Sequence, residues 1–548
     1  MRRILWKALL AVLLTSCANP SLVSSPPPTA PPTDDRRPTT DDRRPTTDEP
    51  TIAAPTAPPT SAPPTAELAS PAPTTAQPAP SAPFGAPLDP QGQAAALLPD
   101  FRSDLDQAGA WNRYTIDAAI DPGARTIAGR LRLEYTNHDT ARLDALYFHL
   151  YPNLPDFAGR LDVTALAVDG QALPIVYELR RYLLRVDLRR PLAPGESAAV
   201  TLDFTTRAPQ NASGKYGAFN KEGGVLALAS SYPIAAIVRG GTWDIGWPDG
   251  RGDFVNSETA LYDVTLTAPA DWQLITTGVV ADGRLDGGQQ TARIVSGPQR
   301  DFMISAAQYG VASAEVNGTR VNSYYRPGDA AGGQAALQAA GNALRAFNAR
   351  YGRYPLAELD VVEVSARSFL GVEYPGMILI QSNLYGQGGG LEITVAHEVG
   401  HQWWYSLVGN NVQTAAWLDE ALASYSQIVY QEQVHGPEAA ERELEGFRQR
   451  YRDAVAAGRD APVDQPTAAF RGNYVAIVYG KAVLFFQALR KQIGDTAFDR
   501  FLHDYYANRR YGFVTGADLL ASAEGACSCN LDDLYRDWIT RATPMELP

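Results

Sequence analysis

Cysteine is scarce in this chain, with three in 548 residues, and one of them is Cys17. The other two, in Cys527-Ser528-Cys529, cannot build a disulfide framework, so core packing has to supply the stability. Two thiols also fall short of a structural zinc site. The pair could close a small ring, stay free or take up adventitious metal, and no function is assigned to it. Long apolar runs are missing as well: Ala8 to Leu14 is too brief to cross a bilayer as a helix. Positive charge is in deficit, 47 basic residues against 60 acidic for a net −13. That balance argues against nucleic acid as a partner. Gly386-Gln387-Gly388-Gly389-Gly390 lacks the Gly-Lys-Ser/Thr ending of a phosphate cradle and reads as a turn.

Proline and threonine are abundant where a fold is least expected. Arg2, Arg3 and Lys7 flank the short apolar run in the manner of an export signal. Its end, Leu14-Thr15-Ser16-Cys17, resembles the lipobox of bacterial lipoproteins, which implies lipidation of Cys17 and an extracytoplasmic, membrane-anchored protein. Residues 1–17 are therefore read as a lipoprotein signal and 18–98 as a Pro/Thr-rich tether too poor in apolar residues to form a core. From 99 to 312 the hydrophobic period is two: Leu131, Leu133 and Tyr135 alternate with charges, and Leu146, Phe148 and Leu150 alternate with Tyr147, His149 and Tyr151. This predicts a mostly antiparallel β domain. His149, in such a strand, is read as a packed or surface residue and not as a ligand. From 313 to 548 the period becomes helical, with Leu337, Leu344, Phe347 and Tyr351 on one face, and only a small sheet is expected before residue 390. The fold class is multidomain α+β.

Few histidines make His397-Glu398-Val399-Gly400-His401 conspicuous, since it uses two of six. On an α-helix, positions four apart lie about 40° apart around the axis, so both imidazoles can face one ion. After eighteen intervening residues Glu420 supplies a third donor. Two His and one Glu, with a fourth position left for water, is the donor set of a catalytic Zn2+. Glu398, next to a ligand, is placed to act as general base.

His397-Glu398-x-x-His401-Gln402-Trp403-Trp404, Gly409-Asn410 and Trp417-Leu418-Asp419-Glu420-Ala421-x-Ala423-Ser424-Tyr425 together resemble the aminopeptidase N-like gluzincins. The resemblance implies a saddle-like β domain, a thermolysin-like catalytic domain and one Zn2+. It implies an aminopeptidase acting on peptides with a free amino terminus. Gly371-Val372-Glu373 falls where that family has its substrate-binding Gly-x-Met-Glu-Asn strand, so Glu373 is expected to hold the α-amino group, with Gly371 and Val372 beside it. Leu370, Val372 and Tyr374 depart from that pattern. Tyr374 and Met377 are candidate specificity-pocket residues. Tyr479, in Tyr479-Gly480-Lys481, matches the family tyrosine that stabilises the oxyanion, and Tyr474 is the alternative choice. A further acid on the Glu420 helix is expected to orient a ligand histidine; Asp419 points about 100° from Glu420 on an ideal helix. The large C-terminal helical domain of many relatives is expected to be missing.

Two other readings keep parts of this chemistry. A zinc endopeptidase or epoxide-type hydrolase would use the metal without Glu373, and a non-catalytic surface binding lipoprotein would keep the fold without turnover.

Overall fold

The computed structural model describes residues 87–211, 216–386 and 389–548. Cys17, the export signal and most of the tether lie outside them. The tether boundary expected at 98 is corrected: Leu88, Leu97 and Leu98 are buried, and short 3₁₀ helices occupy Pro90–Ala96 and Pro99–Ala110. Gln93 Oε1 accepts from the backbone N–H of Ser296 at 3.0 Å, and the Leu98 N–H donates to Pro355 O at 2.8 Å. Apolar residues return at Leu88, so the folded body begins about ten residues before the proline-rich composition ends.

The β part is built on an eight-stranded sheet. Its labelled members are β1 (Asn112–Asp121), β2 (Thr126–Thr136), β4 (Arg160–Val168), β5 (Ser197–Arg207), β6 (Ala260–Pro269), β7 (Val279–Asp286) and β8 (Gln289–Gln299). The order is β7-β8-β6-β1-β2-β5-β4, closed at the edge by Gln171–Ala172. Neighbours run antiparallel except β1 and β6, which are parallel. On β2, Leu131, Leu133 and Tyr135 are buried while Arg130 reaches across to Asp203 at 2.8 Å, which is the alternation read from the sequence. In β3 (Leu143–His149), which belongs to a smaller sheet, the alternation breaks: His149 is buried against Tyr182, because a second layer covers that face.

The second part opens with a five-stranded sheet ordered β9 (Gly310–Val316), β10 (Thr319–Tyr325), β11 (Glu358–Val364), β13 (Met377–Gln381) and β12 (Gly371–Tyr374). Its first strand begins at 310, so the expected boundary at 313 falls inside a strand. Period-two alternation gives this sheet two buried faces. Val361, Ile378 and Ile380 pack with the helices, whereas Val362, Val364, Val372, Tyr374, Met377 and Leu379 pack with the β part. The helices that matter for the site are α1 (Ala330–Tyr351), α2 (Leu391–Gly400), α3 (Trp417–His435), α4 (Pro437–Ala456) and α5 (Ala482–Ile493). Trp403, Trp404 and Trp417 are wholly buried between them, each removing on the order of 150–250 Å² from water. Cys527 and Cys529 are joined as a disulfide around Ser528, which closes the choice the sequence left open. No helix among the described residues is long and apolar enough to cross a membrane.

Candidate metal centre

His397 lies in the last turn of α2 and His401 caps it, still in helical conformation, so the fourfold spacing holds through the helix end. Gly400 sits where α2 and α3 cross: an added Cβ would come within 3.0 Å of the Ser426 Cβ. That close approach brings in Glu420 from the first turn of α3. The three donor atoms form a triangle. Nε2 of His397 and Nε2 of His401 are 3.1 Å apart, and Oε2 of Glu420 is 3.5 Å from the first and 3.3 Å from the second. Ligands about 2.1 Å from a tetrahedral ion stand roughly 3.4 Å from one another, so the triangle fits Zn2+ without rearrangement. Glu420 Oε2 is buried with no protein hydrogen bond, as expected of an oxygen reserved for a cation.

Each imidazole is held from behind. The His401 Nδ1–H donates to Trp404 O at 3.0 Å, which leaves Nε2 for the metal. His397 Nδ1 lies 3.0 Å from the Gln427 side-chain amide. Gln427 is seven residues after Glu420 and so on the same face of α3. The partner on this helix is therefore an amide and not the acid expected. Asp419 instead accepts the Glu420 N–H at 2.8 Å, within the first turn of α3.

Glu398 is buried beside the triangle. Gly371 on β12 makes its room, since a Cβ there would stand 2.6 Å from the Glu398 Cδ. Alternation then puts Glu373 on the same face as Gly371, and its Oε1 is 3.8 Å from His401 Nδ1. The Val372 side chain points the other way, into the β core, and so does not line the site as expected. Tyr374 and Met377 are likewise core residues, with the Tyr374 hydroxyl bonded to that of Tyr216. Tyr479 lies in a π-helical turn, Ile477–Lys481, that breaks the helix leading into α5; its hydroxyl donates to Glu420 Oε1. Tyr474 stacks edge-on behind it at 6.0 Å.

One acid was not legible in the sequence. Asp253, at the end of a loop that follows the β part's small strands, lies half-buried with its carboxyl against Glu420. Gln413 anchors this loop by accepting from Asp249 N at 2.8 Å, and Gly252 fits beneath the Tyr474 hydroxyl, 2.6 Å from where a Cβ would be. Nothing in residues 244–253 marks an acid for a site built some 150 positions later. Burial pushes the Glu398 carboxyl up to about 8 and that of Asp253 up to about 7, the neighbouring Glu420 adding to both. Glu373 is raised well above its ordinary range by burial and then by Asp253. Burial works on Glu420 in the same direction, but its contacts with both histidines hold it below that range. Among the described residues no Lys or Arg pairs with any of these four carboxyls.

A His-Glu-x-x-His helix is crossed by a second helix bearing the third donor, the arrangement that the resemblance to the gluzincins implies. Residues 335–538 match the peptidase family M1 domain. The chain is 24% identical over 299 residues to Aminopeptidase M1-B of Oryza sativa subsp. japonica, covering 51% of this chain and 34% of that protein. Against Aminopeptidase N of Lactococcus lactis subsp. lactis it is 28% identical over 156 residues, 27% of this chain and 18% of the other. The chain thus spans about a third or less of the length of these curated relatives. Its fold is similar to that of the M1 zinc metallopeptidase from Deinococcus radiodurans, with a TM-score of 0.61 at 19% identity over 80% of this chain and 95% of that one.

Proposed function

We propose that this protein is a zinc-dependent aminopeptidase that removes residues from the free amino ends of peptides. The observation that carries the reading is the crowding of Glu373, Asp253, Glu398 and Glu420 around two histidines with no Lys or Arg among them. Such a cluster calls for two cations: a metal at the donor triangle, and an ammonium at the Glu373 and Asp253 end. A mutant of the Deinococcus radiodurans protein described as bound to a Tyr-Ser-Ala substrate supports the peptide assignment.

His397, His401 and Glu420 would hold the Zn2+, which when bound supplies Lewis acidity toward water and toward the scissile carbonyl. Glu373 and Asp253 fix the α-ammonium, and that sets the first peptide bond over the triangle. Glu398 takes a proton from the attacking water as its oxygen bonds to the carbonyl carbon. It then delivers the proton to the leaving nitrogen as the C–N bond breaks. Tyr479 donates its hydroxyl to the carbonyl oxygen as charge develops there.

Cleavage of a fluorogenic peptide with a free amino end, compared with the same peptide acetylated, tests the assignment. Rapid turnover of the free form alone is expected. Equal cleavage of both assigns an endopeptidase, and zinc uptake without turnover assigns a binding protein. We further infer lipid attachment at Cys17, supported by Leu14-Thr15-Ser16-Cys17 and the basic flank, and hence a membrane-anchored, extracytoplasmic site of action. A Cys17→Ser chain that still partitions into detergent with the membrane fraction overturns it.

A further inference from the structure

Arg300 follows β8 of the β part, yet two of its three guanidinium nitrogens are spent on the helical part. It is 2% exposed, and no carboxylate among the described residues lies within ion-pair distance. Its Nε donates to Tyr405 O at 2.9 Å, one terminal nitrogen to Ser257 O at 3.2 Å, and the other to Gly512 O. Burial pushes the group down to about 10. Sinking an unpaired guanidinium among neutral carbonyls costs several kcal/mol, so its retention needs a return elsewhere. Gly409 is shaped around it, because a Cβ there would overlap the guanidinium.

The carbonyl that Arg300 holds belongs to a strained residue. Tyr405 has φ +127°, a conformation glycine adopts freely and a tyrosine holds at a cost of about 1–3 kcal/mol. Its N–H shares a peptide plane with Trp404 O, the acceptor for His401 Nδ1 at 3.0 Å. The backbone angles of Tyr405 therefore set the orientation between two planes, one gripped by Arg300 and one facing the metal ligand. The Tyr405 N–H to Val408 O bond at 2.9 Å and the Ser406 N–H to His401 O bond at 3.0 Å close the turn.

We propose that Arg300 is a positioning residue for the metal site: by gripping the Tyr405 carbonyl it keeps the strained turn in place and aims the Trp404 carbonyl at His401 Nδ1. The role rests on the zinc reading above, and zinc retention reports on it without any peptide substrate. In the full chain, Arg300→Lys keeps a positive charge but loses the three-way fork. It is expected to shed zinc to a chromophoric chelator at least about tenfold faster and to shift the visible absorption of the Co2+-substituted protein. Adding Tyr405→Gly should restore zinc retention to within about threefold of wild type, because glycine needs no grip to hold φ +127°. If Arg300→Lys does not fold, Gly409→Ala, which displaces the guanidinium without removing it, decides on the same two readouts. A folded variant with wild-type zinc release and an unchanged Co2+ spectrum overturns the proposal, whatever its melting temperature. A wild-type chain that binds no zinc overturns the metal reading itself and this role with it.

Discussion

Gly371→Ala offers a sharp test of the site, because the three atoms nearest the added methyl group all belong to Glu398, the proposed general base. The added Cβ would stand 2.6 Å from Glu398 Cδ, and closer still to Oε1. Ordinary carbon contacts begin near 3.5 Å, so the carboxyl has to retreat by about 1 Å. Gly371 has an ordinary negative φ, and its antiparallel pairing with Ile380 does not depend on the side chain, so the strand itself is undisturbed. The flexible Glu398 side chain gives way, and the fold should lose less than about 1 kcal/mol. Catalysis should lose far more. A displacement of about 1 Å at a proton-transfer group costs on the order of 10²-fold in turnover, equivalent to about 2.7 kcal/mol of transition-state stabilisation. The assay pairs kcat on an aminoacyl fluorogenic amide with zinc content by elemental analysis and a denaturant melt. Turnover within threefold of wild type, in folded and zinc-loaded protein, would refute the placement of Glu398.

Other outcomes follow from the same geometry. Glu398→Gln should keep its zinc while kcat falls by about 10²–10⁴-fold, as steady-state kinetics with metal analysis would read. Tyr479→Phe removes the donor to the developing oxyanion and should lower kcat about 10²–10³-fold with little change in KM. Stability should depend on pH through His149, whose burial drives its pKa from 6.5 down to about 4. The unfolded chain then binds the extra proton between those values, so stability is full above pH 6.5 and declines as pH falls toward 4, by about 3 kcal/mol. Between pH 7.5 and 4 the unfolding free energy read from denaturant melts should fall further in wild type than in His149→Gln, by that amount, since the Gln amide can still donate to Asp244 O, now bonded to His149 Nε2 at 3.0 Å.

Local pattern carried much of this molecule into the sequence. The donor triad was readable because its ligands sit four apart on one helix, with the third at a fixed remove. The β part and the helical part announced themselves by period. What escaped was whatever depends on chain crossings. Asp253 reaches the site from a loop that Gln413 helps to pin, and neither residue signals the other in sequence. Val372 misled because family position speaks of the backbone, whereas the strand's alternation decides where a side chain goes. Gln427 could have been found from its sevenfold spacing after Glu420, had an amide been considered where an acid was expected. The end of the tether was misplaced because prolines at 90 and 99 mask the buried leucines between and before them.

The five-stranded sheet is a party wall, oiled on both sides, and β12 is its outermost plank. One side of that plank presents Glu373 to the site, where the proposed function places the amine, while the other is wedged into a separate core through Val372 and Tyr374. On the proposed function, grip on the substrate is thus coupled to the packing of the β body. Repacking beneath Tyr374, well out of reach of any peptide, should loosen the hold on the amino end before it touches the hydrolytic step.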